Sequence, residues 1–184
     1  MHKRTAVVLF NLGGPDSPAA VEPFLFNLFS DPDIFKIPLG FITQKWFARW
    51  AARRRAPEAR TCYQAIGGAS PLLANTRKQA EALQAALAHH GGFDVFVCMR
   101  YWHPLTAEVV QRLKQGKYQR VILLPLYPQY SLTTTGSSYN EFIRECARQD
   151  YRPRAHLIRH WYDQPDYQQA LIETIQAELA KLPA

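Results

Sequence analysis

Three things are scarce in this chain: cysteine, acidic side chains and long apolar runs. Its three cysteines, Cys62, Cys98 and Cys146, are odd in number and widely spaced. That excludes a disulfide framework, gives no metal-ligand spacing and points to a reducing cytoplasm. The longest apolar stretch, around Val121–Leu126, is the size of a strand and far below the roughly 20 residues a membrane span needs. The opening "MHKRTAVVLFNLGGPDS" carries an apolar stretch of only five residues and no small-residue cleavage site. It reads as a buried first strand rather than a signal peptide. Repeats, low-complexity segments and dividing linkers are absent, so residues 1–184 are expected to form one domain. Neither G-x-G-x-x-G nor a Gly-Lys-Ser/Thr loop occurs, so the Gly13-Gly14 turn is a weak nucleotide signal.

Acids are outnumbered, 15 against 22 Lys and Arg, for a formal charge of +7. Such a balance makes nucleic acid the first partner to weigh. The excess is local, however. Between Lys45 and Arg60 six basic residues (Lys45, Arg49, Arg53, Arg54, Arg55, Arg60) meet one acid, Glu58. That pattern fits a confined anionic site better than a polyanion face.

What is present alternates. Residues 5–14 read as a strand closed by Gly13-Gly14, and 17–30 as a helix with Ser17 as its cap and Pro18 at its first position. Residues 31–56 are expected to be irregular, with a short helix through "TQKWFARWAARRR". A helix capped by Asn75 and stopped by Gly91-Gly92 follows, then a strand over 93–102 and a helix over 106–116 capped by Thr106. A strand "YQRVILLPLY", a helix "SSYNEFIRECARQ", a strand "RAHLIRHW" and a long final helix complete the chain. Near-continuous apolar strands alternating with helices predict an α/β fold, a parallel sheet with helices on both faces. Ligands of such sheets sit outside the carboxyl ends of the strands. Three strand ends meet there: "NLGGPDS", "RYWHPLT" and "LYPQYSLTTTGSSYN".

The third end is the most unusual. From Ser131 to Tyr139 only Leu132 and Gly136 lack a hydroxyl. Each buried hydroxyl needs a partner, and capping the next helix would occupy one or two of them. In "ITQKWFARWAARRRAPEAR", Trp46, Phe47 and Trp50 are expected on one side and arginines on the other. The functional reading is the rim of an apolar pocket whose ligand carries carboxylates at its edge, since the planar Arg fork pairs carboxylates bidentately. The structural reading is a partner interface or a surface helix with snorkelling arginines. The six histidines form no ligand set, and only His103 stands at a strand end.

"NLGGPDSPAAVEPFLFNLFSDPDI", "YQAIGGASPL", "RYWHPLT" and "LYPQYSLTTTGSSYNEF" together resemble ferrochelatase, across nearly the whole chain. The resemblance implies a Rossmann-like half-domain, with a cleft lip at about 34–56, from an enzyme with two similar halves around a porphyrin cleft. It implies insertion of ferrous iron into a porphyrin, protoporphyrin IX by the look of "RYWHPLT", in the last step of haem biosynthesis. By match of motif, Leu12 faces the macrocycle, Arg55 and Ser70 hold a propionate, and Tyr63, Arg100, Tyr101 and Tyr139 line the cleft.

The same resemblance implies that the histidine and acid central to proton removal and iron delivery belong to a second half, so no catalytic residue is expected here. On this reading the chain is a truncated ferrochelatase that a C-terminal half, or a second copy, would complete. Ferrous iron is a substrate, no resident metal or cofactor is expected, and Leu132 supplies no iron–sulfur ligand where some relatives carry a cysteine. Residues 41–55 are a candidate for peripheral membrane contact. A non-catalytic porphyrin or haem binder and a basic nucleic-acid module are the competing readings, with no nucleic acid expected on the first.

Overall fold

The computed structural model describes residues 4–37 and 40–182. Four strands, β1 (Thr5–Asn11), β2 (Phe93–Met99), β3 (Arg120–Pro125) and β4 (Arg154–Leu157), form one sheet in the order β2-β1-β3-β4, with every pair parallel. The central strand β1 is apolar on both faces, and Ala6 through Phe10 are all buried. That is the signature of a strand covered from both sides.

On one face Ala6, Val8 and Phe10 pack with Val109, Val110 and Leu113 of α4 (Thr106–Gln115) and with Phe142 and Cys146 of α5 (Ser137–Arg148). The opposite face of β1 meets α3 (Leu72–Leu87), where Asn11 Nδ2 donates to Thr76 Oγ1 at 3.0 Å. Farther along α3, the Gln84 amide reaches edge strand β2, donating to the Phe93 carbonyl (3.0 Å) and accepting from the Val95 N–H (2.8 Å).

At the carboxyl end of the sheet, α1 (Val21–Phe29) packs against α2 (Gly40–Ala65), burying Val21, Phe24 and Leu25 against Ala52 and Ala56. Here the chain departs from expectation. The stretch read as irregular with a short helix is a 26-residue helix. Ala48, Ala52 and Ala56, four residues apart and all buried, lie on one face of it and carry it through Pro57, which ordinarily breaks a helix. The same inward face corrects the expected split of aromatics from arginines. Phe47 turns in toward Phe29 and Phe35 (centroids 6.4 and 6.1 Å), whereas Trp46 and Trp50 are exposed beside the arginines, Arg54 lying 6.0 Å from the Trp50 ring.

Two expected caps also move. Helix α3 begins at Leu72, and Ser70 Oγ, not Asn75, accepts a hydrogen bond from its first N–H at 3.3 Å. Thr106 is the first residue of α4 rather than its cap, and makes no side-chain cap bond. The last helix, α6 (Pro165–Leu179), leaves Leu171, Ile172, Ile175 and Leu179 exposed. None of the helices among the described residues is long and apolar enough to cross a membrane.

Candidate functional site

Strand pairing continues past the formal ends of β1 and β2. Arg100 N–H donates to the Asn11 carbonyl (2.9 Å) and Tyr101 N–H to the Leu12 carbonyl (3.0 Å). The glycine turn therefore lies directly against the "RYW" segment. Gly13 has φ +85°, a conformation costly for any side chain, and a Cβ there would approach Trp102 N to 3.0 Å. Gly14 abuts Ser70, whose N–H donates to the Pro15 carbonyl at 2.8 Å. Leu12, Tyr63 and Trp102 pack against a buried cluster that includes the Tyr101 ring. Leu12, Tyr63, Ser70 and Tyr101, far apart in sequence, are thus gathered around one turn. Burial raises the Tyr63 phenol above its ordinary range, and the nearby Cys62 adds to it, so it stands as a neutral donor.

Behind this turn is a polar hub that sequence reading missed. Asp31, in the loop after α1, has a wholly buried side chain. Its Oδ2 accepts from Tyr101 Oη at 2.5 Å, from Arg100 Nη2 at 3.0 Å and from the Ser137 hydroxyl; its Oδ1 takes the Asp33 N–H at 2.8 Å. Ser137 in turn accepts from Arg100 Nε at 2.7 Å. Burial opposes ionisation of Asp31, but the Ser137 and Tyr101 hydrogen bonds and the Arg100 charge outweigh it and hold the carboxyl below the usual range. Tyr101 is driven the other way, by burial and by donating to Asp31, and stays protonated. The hub opens on a recess of about 310 Å³ whose lining includes Ser30, Arg100, Glu141, Arg144 and Glu145. Glu141 stands 3.8 Å from Arg100, and Glu145 is buried and paired with Arg148.

The remaining sequence-named residues lie elsewhere. Arg55 is exposed on α2, paired with Glu58, and eight residues before Tyr63, which is about 12 Å along a helix axis. Tyr139 is half-buried on α5 against the core beneath the sheet. Tyr101 has no exposed surface at all. In the hydroxyl loop, residues Leu132–Gly136 form a π-helical turn whose cap is Ser131, accepting from the Thr133 N–H at 3.2 Å. Thr135 and Ser138 are buried and, with the Tyr127 hydroxyl, have no hydrogen-bond partner among the described residues. Leu132 is exposed at the tip, and His103 is an exposed partner of Glu108 at 2.5 Å. One signal could have disclosed the hub: an acid set between Ser30 and Pro32 at the end of an apolar helix, inside a motif already singled out.

Comparison with known proteins gives the arrangement its context. The family model described as Ferrochelatase matches residues 4–184. A ferrochelatase of Synechococcus sp. (strain JA-3-3Ab) is 47% identical over 96% of this chain and 52% of its own length. One of Geotalea daltonii is 45% identical over 98% of this chain and 56% of its own, and one of Aquifex aeolicus 46% identical over 97% and 56%. The chain spans about half the length of the curated relatives it matches. By the extent of that match, it belongs to the ferrochelatase family.

Proposed function

We propose that this chain is the porphyrin-holding half of a ferrochelatase that inserts ferrous iron into protoporphyrin IX in the last step of haem biosynthesis. The observation that carries the reading is the convergence of Leu12, Tyr63, Ser70 and Tyr101 around the glycine turn at the carboxyl ends of the strands. A porphyrin is a flat apolar ring edged by propionates, so its cleft calls for apolar and aromatic walls with a few polar clamps. Leu12 and Tyr63 supply wall, Ser70 a hydroxyl clamp, and Arg55 a cation at the rim for a propionate. Arg100 stands at the end of β2, with Tyr101 acting from behind the wall and Tyr139 packed on α5 against the core beneath the sheet.

Metallation must bend the ring, take two pyrrole protons and deliver the iron. The wall's part is the bending, in which binding energy spread over the ring offsets local strain. Proton removal needs a general base, whose absence typically costs about 10²–10⁴-fold. We assign that base, and the iron-delivering groups, to the opposing face of the cleft, supplied by a C-terminal half or by a second copy of this chain. Iron is substrate here, and the reading needs no resident cofactor. The exposed Trp46 and Trp50 beside Arg49, Arg53 and Arg54 suit contact with an anionic membrane surface. Widely spaced thiols, two of them buried, suit a reducing cytoplasm.

The test is titration of protoporphyrin into the purified chain, read by tryptophan quenching, followed by a zinc-insertion assay by absorbance. Saturable binding with little insertion is expected. No binding would sink the reading. Turnover at the rate of a full-length ferrochelatase would show a cleft completed by two copies.

A further inference from the structure

The Asp31 hub does more than fill a buried space. Three side-chain donors from two distant segments converge on one oxygen: Arg100 and Tyr101 from the end of β2, and Ser137 from the first turn of α5. A buried carboxylate with that many donors is satisfied, and each donor is fixed in direction by it. Arg100 is the donor held most completely. Its Nη2 is bound by Asp31 directly, its Nε is bound through Ser137, and its guanidinium lies 4.8 Å from the Tyr101 ring centroid. Only a tenth of its side chain is exposed, and its other anionic neighbour, Glu141, stands 3.8 Å away toward the recess.

We propose that Asp31 is the positioning residue for Arg100: its carboxylate fixes the guanidinium at the carboxyl end of β2, in the orientation the porphyrin meets. The proposal rests on the reading of the cleft given above. Asp31 itself touches no substrate. It acts by denying Arg100 its alternative partner, because an arginine freed from Asp31 and Ser137 swings to the Glu141 carboxylate. Tyr101 couples the two halves of the arrangement, with its ring in the apolar cluster beside Leu12 and its hydroxyl on Asp31. A purely structural role is the alternative, since Oδ1 also ties down the loop through the Asp33 N–H. That role would lower thermal stability and leave Arg100 and the ligand alone.

Two measurements on the same variants separate these. The first is the nitrogen-15 spectrum of the arginine Nε–Hε groups, with solvent exchange of the Arg100 signal as readout. The second is the protoporphyrin titration, run well below each variant's melting temperature. In the native chain the Arg100 signal is expected to exchange slowly, since its Nε is bound by Ser137 and only a tenth of its side chain is exposed. Asp31→Asn is expected to make it exchange fast and to weaken protoporphyrin binding about tenfold, as expected for loss of a charged hydrogen-bond partner. Asp31→Glu, which returns the charge, is expected to recover part of both.

If Asp31→Asn does not fold, Ser137→Ala removes the second link alone and is expected to change both readouts in the same direction, less strongly. A slowly exchanging Arg100 signal in Asp31→Asn, or in Ser137→Ala where that variant stands in, overturns the proposal. So does fast exchange with native porphyrin affinity. If the native chain binds no porphyrin, the cleft reading fails, and the exchange measurement alone decides whether Asp31 fixes Arg100.

Discussion

Gly14 and Ser70 are in contact with no room to spare: a Cβ on Gly14 would lie 2.6 Å from the Ser70 Cβ and 2.5 Å from its Oγ. Ser70 is poorly placed to yield, because its N–H is bound to Pro15 and its hydroxyl accepts from the first N–H of α3. Gly14→Ala should therefore destabilise the chain by about 1–3 kcal/mol, the usual range for overpacking. Thermal denaturation measures it. Ser70→Gly in the same background should recover part of the loss, whereas Ser70→Ala, which keeps the offending carbon, should not. An unaffected melting temperature in Gly14→Ala would mean the turn is loose.

Arg55 offers a clean separation of binding from folding. Its exposed pair with Glu58 is of the kind worth about 0–1 kcal/mol at most. Arg55→Ala should leave the melting temperature essentially unchanged while weakening protoporphyrin binding by about tenfold, as loss of a charged hydrogen-bonding group does. Equal affinities would remove Arg55 from the site and leave the anionic edge to its neighbours on α2.

Acid should undo the hub in a defined direction. Burial opposes the charge on Asp31 and its hydrogen bonds outweigh that, so its folded pKa lies below the ordinary carboxylate value of about 3.9. A depressed carboxylate contributes stability that is complete above the unfolded pKa and is lost as pH falls through the folded one. The stability gap between the native chain and Asp31→Asn should thus be widest near neutrality and close below about pH 4. Urea titrations at a series of pH values would show it, and a gap that stays constant into acid would mean the carboxyl is neutral in the fold.

Helix α2 carries its own liability. Pro57 lies inside it, where the ring removes a backbone donor and crowds the preceding turn. Pro57→Ala should raise stability by up to about 3 kcal/mol, the interior cost of proline. The urea midpoint is the readout. A fall instead would mean that the local geometry imposed by proline is what seats Ala52 and Ala56 against α1.

Much of the sheet was legible in the sequence because its signals are local. An apolar run such as Val121–Leu126 shows its strand without reference to anything else, and Gly116 ends α4 where expected. Helix α2 was misjudged because proline and a row of arginines are strong local signals, while the alanine face that overrides them gains meaning only against α1. Of the candidate site, the gathering of Leu12, Tyr63 and Ser70 was expressed in motifs. The hub was not. Asp31 meets Tyr101 across 70 positions and Ser137 across 106, and no periodicity encodes such a meeting.

The amide of Gln84 has a consequence outside the site. A strand at the margin of a sheet offers its backbone to any other strand, including one from an identical molecule. On β2 the Phe93 carbonyl and the Val95 N–H are already engaged by that one side chain. An incoming strand would have to evict the glutamine before it could pair at those two groups. A single amide thus acts as a steric and chemical guard against edge-to-edge growth, and Gln84→Ala should leave a protein that folds but gathers into β-rich aggregates on standing.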